Sequence, residues 1–143
     1  MLWSPGVIVG LTSGCFDLVH FGHVVYLERC KALCDKLVVG VDSDAMVAAA
    51  KGENRPIIPA LERLELVNSL HPVDSAFILE KLGDLSEIAR QFRVNRVFKH
   101  EGFRDLEHVV GVTDTDAELV IVPDVDGMVS TTAIIDRVRE RYR

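Results

Sequence analysis

The sequence predicts an α/β fold: a doubly wound parallel sheet of about five strands with helices on both faces. Short apolar, β-branched runs alternate with amphipathic helical stretches along the chain. The runs are continuously apolar, as strands buried on both faces require. Repeated strand-helix units favour parallel strands joined by right-handed crossovers.

Val7-Ile8-Val9-Gly10-Leu11-Thr12 reads as the first strand, ending at the small-residue turn Ser13-Gly14. From Val24 onward, Val24, Leu27, Cys30 and Cys34 recur at helical spacing while Glu28, Arg29 and Lys31 take the other side. Lys36 to Val41 reads as a second strand, and Asp44 to Lys51 as a short alanine-rich helix. Gly52 to Pro59, with two prolines and a glycine, is a loop. Leu61, Leu64, Val67 and Leu70 line one face of a helix that His71-Pro72 ends. Strands follow at Ser75 to Leu79, Arg96 to Lys99 and Leu119 to Val122, with a helix at Leu85 to Phe92. Thr132 to Arg141 forms the last helix, with Ile134, Ile135 and Val138 inward. No repeat, low-complexity tract or linker interrupts this order, so residues 1–143 read as one domain.

Composition narrows the function classes. A chain of 143 residues with 48% hydrophobic and 27% charged residues can bury a real core and suits a soluble globular protein. No apolar run approaches the length of about 20 residues that spans a membrane, and Met1-Leu2-Trp3-Ser4-Pro5 has no basic region or apolar signal core. Three cysteines give no disulfide framework, which favours a reducing cytoplasm. A net charge of −6 argues against a nucleic-acid surface. An anion site in such a chain must gather its cations locally.

Gly14-Cys15-Phe16-Asp17-Leu18-Val19-His20-Phe21-Gly22-His23 carries most of the chemistry. Its second half falls at a helix N-terminus, where free N–H groups and the macrodipole favour an anion. Gly14 and Gly22 let backbone approach a ligand closely. His20 and His23 can donate to phosphate oxygens, more strongly if protonated. His-x-x-His could also be half of a zinc site, but Cys15, Cys30 and Cys34 have no spacing typical of zinc ligands. Cys30 and Cys34 fit the buried helix face instead. Ligands of such sheets bind beyond the C-terminal strand ends. There Lys51 and Arg55 follow the second strand, Lys99 to Arg104 follow the fourth, and Ser130-Thr131-Thr132 opens the last helix. For Ser130 and Thr131 the residues alone leave N-capping and ligand contact equally open. For Asp17, turn stabilisation stands beside a direct role. Gly-x-x-x-x-Gly-Lys-Ser/Thr, Gly-x-Gly-x-x-Gly and Gly-x-Ser-x-Gly are all missing, which disfavours a P-loop enzyme, a dinucleotide enzyme and an elbow hydrolase. His71 and His108 have no supporting context.

The Gly14-to-His23 stretch resembles the signature of the cytidylyltransferase superfamily of nucleotidyltransferases, with its His-x-Gly-His turn after the first strand. Further stretches match in order: Lys36 to Asp44; Lys51-Gly52, Arg55-Pro56-Ile57 and Glu62-Arg63; and Val129-Ser130-Thr131-Thr132. The resemblance covers nearly the whole chain and implies a Rossmann-like sheet. It is strongest to the heptose 1-phosphate adenylyltransferase branch, which implies ATP and a sugar phosphate acceptor. A cytidylyltransferase using CTP with glycerol 3-phosphate or a phospho-alcohol is the alternative, and a nucleotide-binding module without turnover is a second. Two stretches depart from these patterns. Lys99-His100-Glu101-Gly102-Phe103 stands where the heptose branch usually has Lys-Gly-Gly-Asp-Tyr, and Asp124-Val125-Asp126-Gly127 where the glycerol-phosphate branch has Arg-Thr-Glu-Gly. The sugar kinase domain sometimes fused in the heptose branch does not adjoin this sequence.

The resemblance implies in-line attack by an acceptor phosphate on the α-phosphorus, with pyrophosphate leaving, so that positioning and charge neutralisation carry the catalysis. Catalytic roles fall to His20, His23 and Lys51. Gly14, Cys15, Phe16, Asp17, Gly22, Lys99, Ser130, Thr131 and Thr132 are the expected nucleotide contacts, and Asp44, Arg55 and Arg63 the expected acceptor contacts. Arg63 would neutralise phosphate, its alternative being a surface pair with Glu62 or Glu65. Magnesium is expected on the nucleotide, held by phosphates and water rather than by a protein metal site. A homodimer is expected from the family.

Overall fold

The computed structural model describes residues 3–123 and 130–143. Strands β1 (Val9–Gly14), β2 (Lys36–Asp42), β3 (Ser75–Leu79), β4 (Arg96–Lys99) and β5 (Glu118–Ile121) form one parallel sheet in the order β3-β2-β1-β4-β5. Helices α1 (Phe21–Lys31), α2 (Asp44–Lys51), α3 (Ala60–Asn68), α4 (Asp84–Gln91) and α5 (Thr131–Arg141) complete the fold, with a 3-10 turn at Glu101–Phe103 after β4. This is the expected doubly wound, Rossmann-like α/β architecture.

Strand periodicity explains the two-sided core. On β2, Leu37, Val39 and Val41 point to one face, joining Leu27 and Cys30 of α1 and Val67 of α3. Val38 points to the other face, beside Val9 and Leu11 of β1 and Leu85 and Ala89 of α4. Both faces are apolar and covered, which is the condition for an all-parallel sheet.

The sheet order places a reversal between β1 and β4, because the chain winds outward through β2 and β3 and then returns to the other side of β1. The β1–β2 ladder runs out to Gly14–Val41, whereas the β1–β4 ladder pairs only Gly10–Arg96 and Leu11–Val97. Past that point the Thr12 hydroxyl stands between the strands, within 3.2 Å of the Phe98 carbonyl and 2.9 Å of the Tyr26 hydroxyl. A crevice opens at the C-terminal ends of these strands, as expected at a topological switch point.

Beyond one-residue shifts at element ends, three elements differ from the sequence expectation. The first strand continues through Ser13 and Gly14. On α3, Leu61 is 73% exposed and the fully buried inward residue beside Val67 is Arg63. On α5, Val138 is exposed and no residue is fully buried, because the helix follows the edge strand β5 and is tied to the domain at its first turn.

Close packing under the crevice depends on Gly10. A Cβ there would lie 2.3 Å from the Phe98 ring and 2.9 Å from Cys34 Sγ. Gly10→Ala is expected to cost about 1–3 kcal/mol in urea unfolding through overpacking. Gly83→Ala, whose Cβ would meet nothing within 4 Å, should leave stability unchanged or slightly higher.

Candidate active site

A cavity of about 480 Å³ lies in the crevice. Gly14, Cys15, Phe16 and Asp17 form its floor, with His20, Gly22 and His23 of the α1 N-terminus beside them. Lys51 and Arg55 enter from the end of α2 and the loop after it, and Ser130, Thr131 and Thr132 from the start of α5. Twelve of the fifteen expected site residues therefore share one cavity, although Gly14 and Thr132 are far apart in sequence.

The two imidazoles do more than face a ligand. His20 is the N-cap of α1: its Nδ1 accepts from the Gly22 N–H at 3.1 Å, while His23 Nδ1 accepts from the His20 N–H at 3.1 Å. This reciprocal cap satisfies two orphan donors of the helix. It also settles the tautomer, because a nitrogen that accepts a backbone hydrogen bond cannot carry a proton. Both rings are neutral Nε2–H donors, stacked with centroids 3.9 Å apart. Burial, with His20 adding to it, pushes His23 down to about 4, and burial also lowers His20. Burial and the two caps thus oppose the added strength that protonation would give this pair.

Asp17 is a buried tie. Its carboxylate accepts from Arg55 Nε at 3.0 Å, Ile57 N–H at 2.8 Å and Ile58 N–H at 3.0 Å. Burial alone would raise its pKa, but these hydrogen bonds and the Arg55 charge outweigh it and hold the carboxyl below the usual range. Its carbonyl accepts from the Thr131 hydroxyl at 2.8 Å, which anchors α5 to the site. Phe16 and Leu18 on either side sit at φ 53° and 50°, left-handed positions that cost energy for residues with a Cβ. The bonds on Asp17 hold them there. Ser130 Oγ caps α5 by accepting from Ala133 N–H, and Ser130 also lines the cavity.

Three expected contacts lie outside the wall. Arg63 is fully buried beneath it, its Nε donating to the Ile58 carbonyl, its Nη1 to the Cys15 and Asp42 carbonyls and its Nη2 to Asp44 Oδ1. Those bonds engage four of the five guanidinium N–H groups and the side chain has no exposed surface, so Arg63 stands as a strut beneath the cavity and not on its wall, and it pairs with neither Glu62 nor Glu65. Asp44, its partner, lies outside the cavity lining with its carboxylate turned to Arg63. Lys99 is half-buried, its ammonium 5.0 Å from the Phe103 ring centroid. Burial lowers its pKa and Asp42 opposes that shift. Cys15 donates to Asp42 Oδ2, and burial together with that carboxylate raises the thiol, which stays protonated. Asp124 to Val129 lie outside the described residues.

The cavity adds Ser13, Tyr26 and His100. Ser13 belongs to the expected Ser13-Gly14 turn, and Tyr26 to the Tyr26-Leu27-Glu28 stretch that shares in the heptose-branch resemblance without a site role. His100 carried a signal, since it stands inside the stretch that departs from the heptose-branch pattern.

Known proteins share the sequence pattern and the fold. A family model described as Cytidylyltransferase-like matches residues 11–137. The Bifunctional protein HldE of Nitratiruptor sp. is 40% identical over 138 residues, covering 96% of this chain and 29% of that protein. That of Pelobacter propionicus is 41% identical over 142 residues, covering 97% and 28%. The chain thus spans less than a third of the length of these curated relatives. Among solved structures, a lipopolysaccharide core biosynthesis protein from Thermoplasma volcanium superposes with a TM-score of 0.66 at 27% identity, covering 85% of this chain and all of that one. The matched family model and the HldE relatives support a nucleotidyltransferase. The chain belongs to the cytidylyltransferase-like family.

Two titrations test the site. His23 takes up its proton at about 4 in the fold against 6.5 unfolded, so the unfolded chain binds the extra proton. Its contribution should be flat above pH 6.5 and fall as pH drops to about 4, by at most about 3 kcal/mol and less where solvent screens the ring edge. His23→Asn should flatten that part of a stability-versus-pH curve. Asp17 acts at lower pH: its depressed pKa gives stability that is full above 3.8 and lost as pH falls through the lower folded value. Asp17→Asn should cost about 2–3 kcal/mol at pH 7 by chemical denaturation, with the gap to wild type closing only below that point.

Proposed function

We propose that this protein transfers an adenylyl group from ATP to a sugar phosphate resembling heptose 1-phosphate, releasing pyrophosphate. The observation that carries the reading is the pair of neutral Nε2–H imidazoles at the N-terminus of α1. Fixed neutral donors on a helix N-terminus suit charge that grows on the α-phosphate oxygens as the acceptor attacks, and they need no proton transfer to act. Lys51, exposed on the cavity and without an ion pair among the described residues, neutralises the triphosphate. Arg55 is oriented by Asp17 and supplies its remaining N–H groups to the acceptor. The start of α5 offers hydroxyl and backbone donors to the leaving pyrophosphate. The acceptor phosphate is already an anionic nucleophile at neutral pH, so no general base is required.

Among the described residues the cavity's donor set does not form a magnesium site. Asp17 is its one carboxylate among the lining residues, and that group is already bonded to three donors. Among the described residues no cluster of three or more His, Cys, Asp and Glu could hold a metal. Magnesium belongs to this reading as the counter-ion of the substrate nucleotide. ATP is preferred to CTP on the resemblance to the heptose branch and the alignments to HldE proteins. A cytoplasmic location and a homodimer belong to the same reading; among the described residues no helix is long and apolar enough to cross a membrane.

Pyrophosphate release tests it. ATP with heptose 1-phosphate should give turnover, whereas CTP with glycerol 3-phosphate or phosphoethanolamine should not; the reverse result selects the cytidylyl reading. Nucleotide binding with no release across all acceptors would leave only a binding module. His20→Ala should lower kcat by about 10²–10³-fold with a far smaller change in nucleotide affinity. Equal losses in both would remove its role in the transition state.

A further inference from the structure

His100 is a cavity residue that the proposed chemistry leaves unused. It follows β4, across the crevice from His20 and His23. Its Nδ1 accepts from the Gly102 N–H at 3.2 Å, capping the short 3-10 turn, and its ring meets Phe103 edge-on with centroids 4.9 Å apart. These two contacts fix the ring plane and, as with His20 and His23, leave Nε2 as the protonated nitrogen and the free donor.

The neighbouring sequence makes room for that ring. A Cβ on Gly102 would lie 2.8 Å from His100 Cε1 and 3.2 Å from its Nδ1, so any side chain at position 102 would displace the imidazole. Against the Lys-Gly-Gly-Asp-Tyr pattern, this chain has moved its side chain from position 102 to position 100 and exchanged a carboxylate for an N–H donor. The other acid in the stretch, Glu101, is bonded through both oxygens to Arg104. The residues lining the cavity thus present donors on both sides of the crevice, and the one carboxylate among them is occupied.

We propose that His100 is a substrate-binding residue whose Nε2–H, held by the Gly102 cap and the Phe103 edge, donates to a phosphate oxygen of the bound substrate. The phosphate belongs either to the nucleotide or to the phosphorylated acceptor. Assigning it to one of them rests on the nucleotidyl-transfer reading; the donor role does not.

Two substitutions separate ligand binding from capping. In His100→Asn the side-chain oxygen can still accept from Gly102 N–H while the Nε2 donor is lost. In His100→Gln an amide N–H reaches close to the Nε2 position. Calorimetric titration of the full chain with α,β-methylene-ATP and, separately, with a sugar 1-phosphate reads affinity without turnover. The expected result is a Kd roughly 10- to 100-fold weaker for one of the probes in His100→Asn, the loss of one hydrogen bond to a charged group, with partial recovery in His100→Gln. Gly102→Ala, which pushes the ring aside, should show the same weakening. Loss with the nucleotide analogue places the contact on the triphosphate, and loss with the sugar phosphate alone places it on the acceptor. Unchanged Kd values for both probes in His100→Asn overturn the proposal, as does equal weakening in His100→Asn and His100→Gln. Because no step needs pyrophosphate release, an absence of turnover would count against the proposed reaction and not against this contact.

Discussion

One buried ion arrangement underlies the site. Arg63 has no exposed surface, and a buried guanidinium is tolerated only when its donors are matched. Its partners are the ends of β1 and β2, the first residue of α2 and the loop before α3. From the opposite side Asp17 binds the same loop, so Ile58 gives its carbonyl to a buried cation and its N–H to a buried anion. That double grip sets where Arg55 stands, and through the Asp17 carbonyl it sets where α5 begins.

The caps of α1 supply the second constraint. An imidazole used as an N-cap must keep one nitrogen unprotonated, so local helix formation and the chemical state of the site are one decision. The resulting donors carry no charge. In the proposed function, neutralisation of an anionic ligand falls to Lys51, Arg55 and the two helix starts, the local cations that a chain of net charge −6 brings to one cavity.

Geometry for this chemistry comes from the sheet. The β1–β4 ladder stops early, Thr12 fills the gap, and side chains after β1, β2 and β4 and from α5 converge on one opening. Rigid strands at the base explain how loops so distant in sequence can hold donors in register.

Much of this was legible in the linear sequence. β3 and β4 begin and end where their apolar runs do, α2 matches its alanine-rich stretch, and His20 and His23 fall at a helix start because the motif is local. Arg63 and Leu61 show where reading by residue type fails. Helical spacing put Leu61 inward and the family resemblance put Arg63 on phosphate, whereas the fold exposes the leucine and buries the arginine. Its partners Cys15 and Asp42 come from β-strand ends far along the chain, and no local pattern reports them. Val138 was misplaced for a related reason, since a helical stripe says which residues share a face and not whether another element covers it. The sequence by itself determined the elements, their order and the residue types offered to an anion, because propensity, periodicity and caps act over a few residues. Tertiary structure alone decided which of those charges reach the cavity and which brace it, because burial and ion pairing depend on partners that only folding brings together.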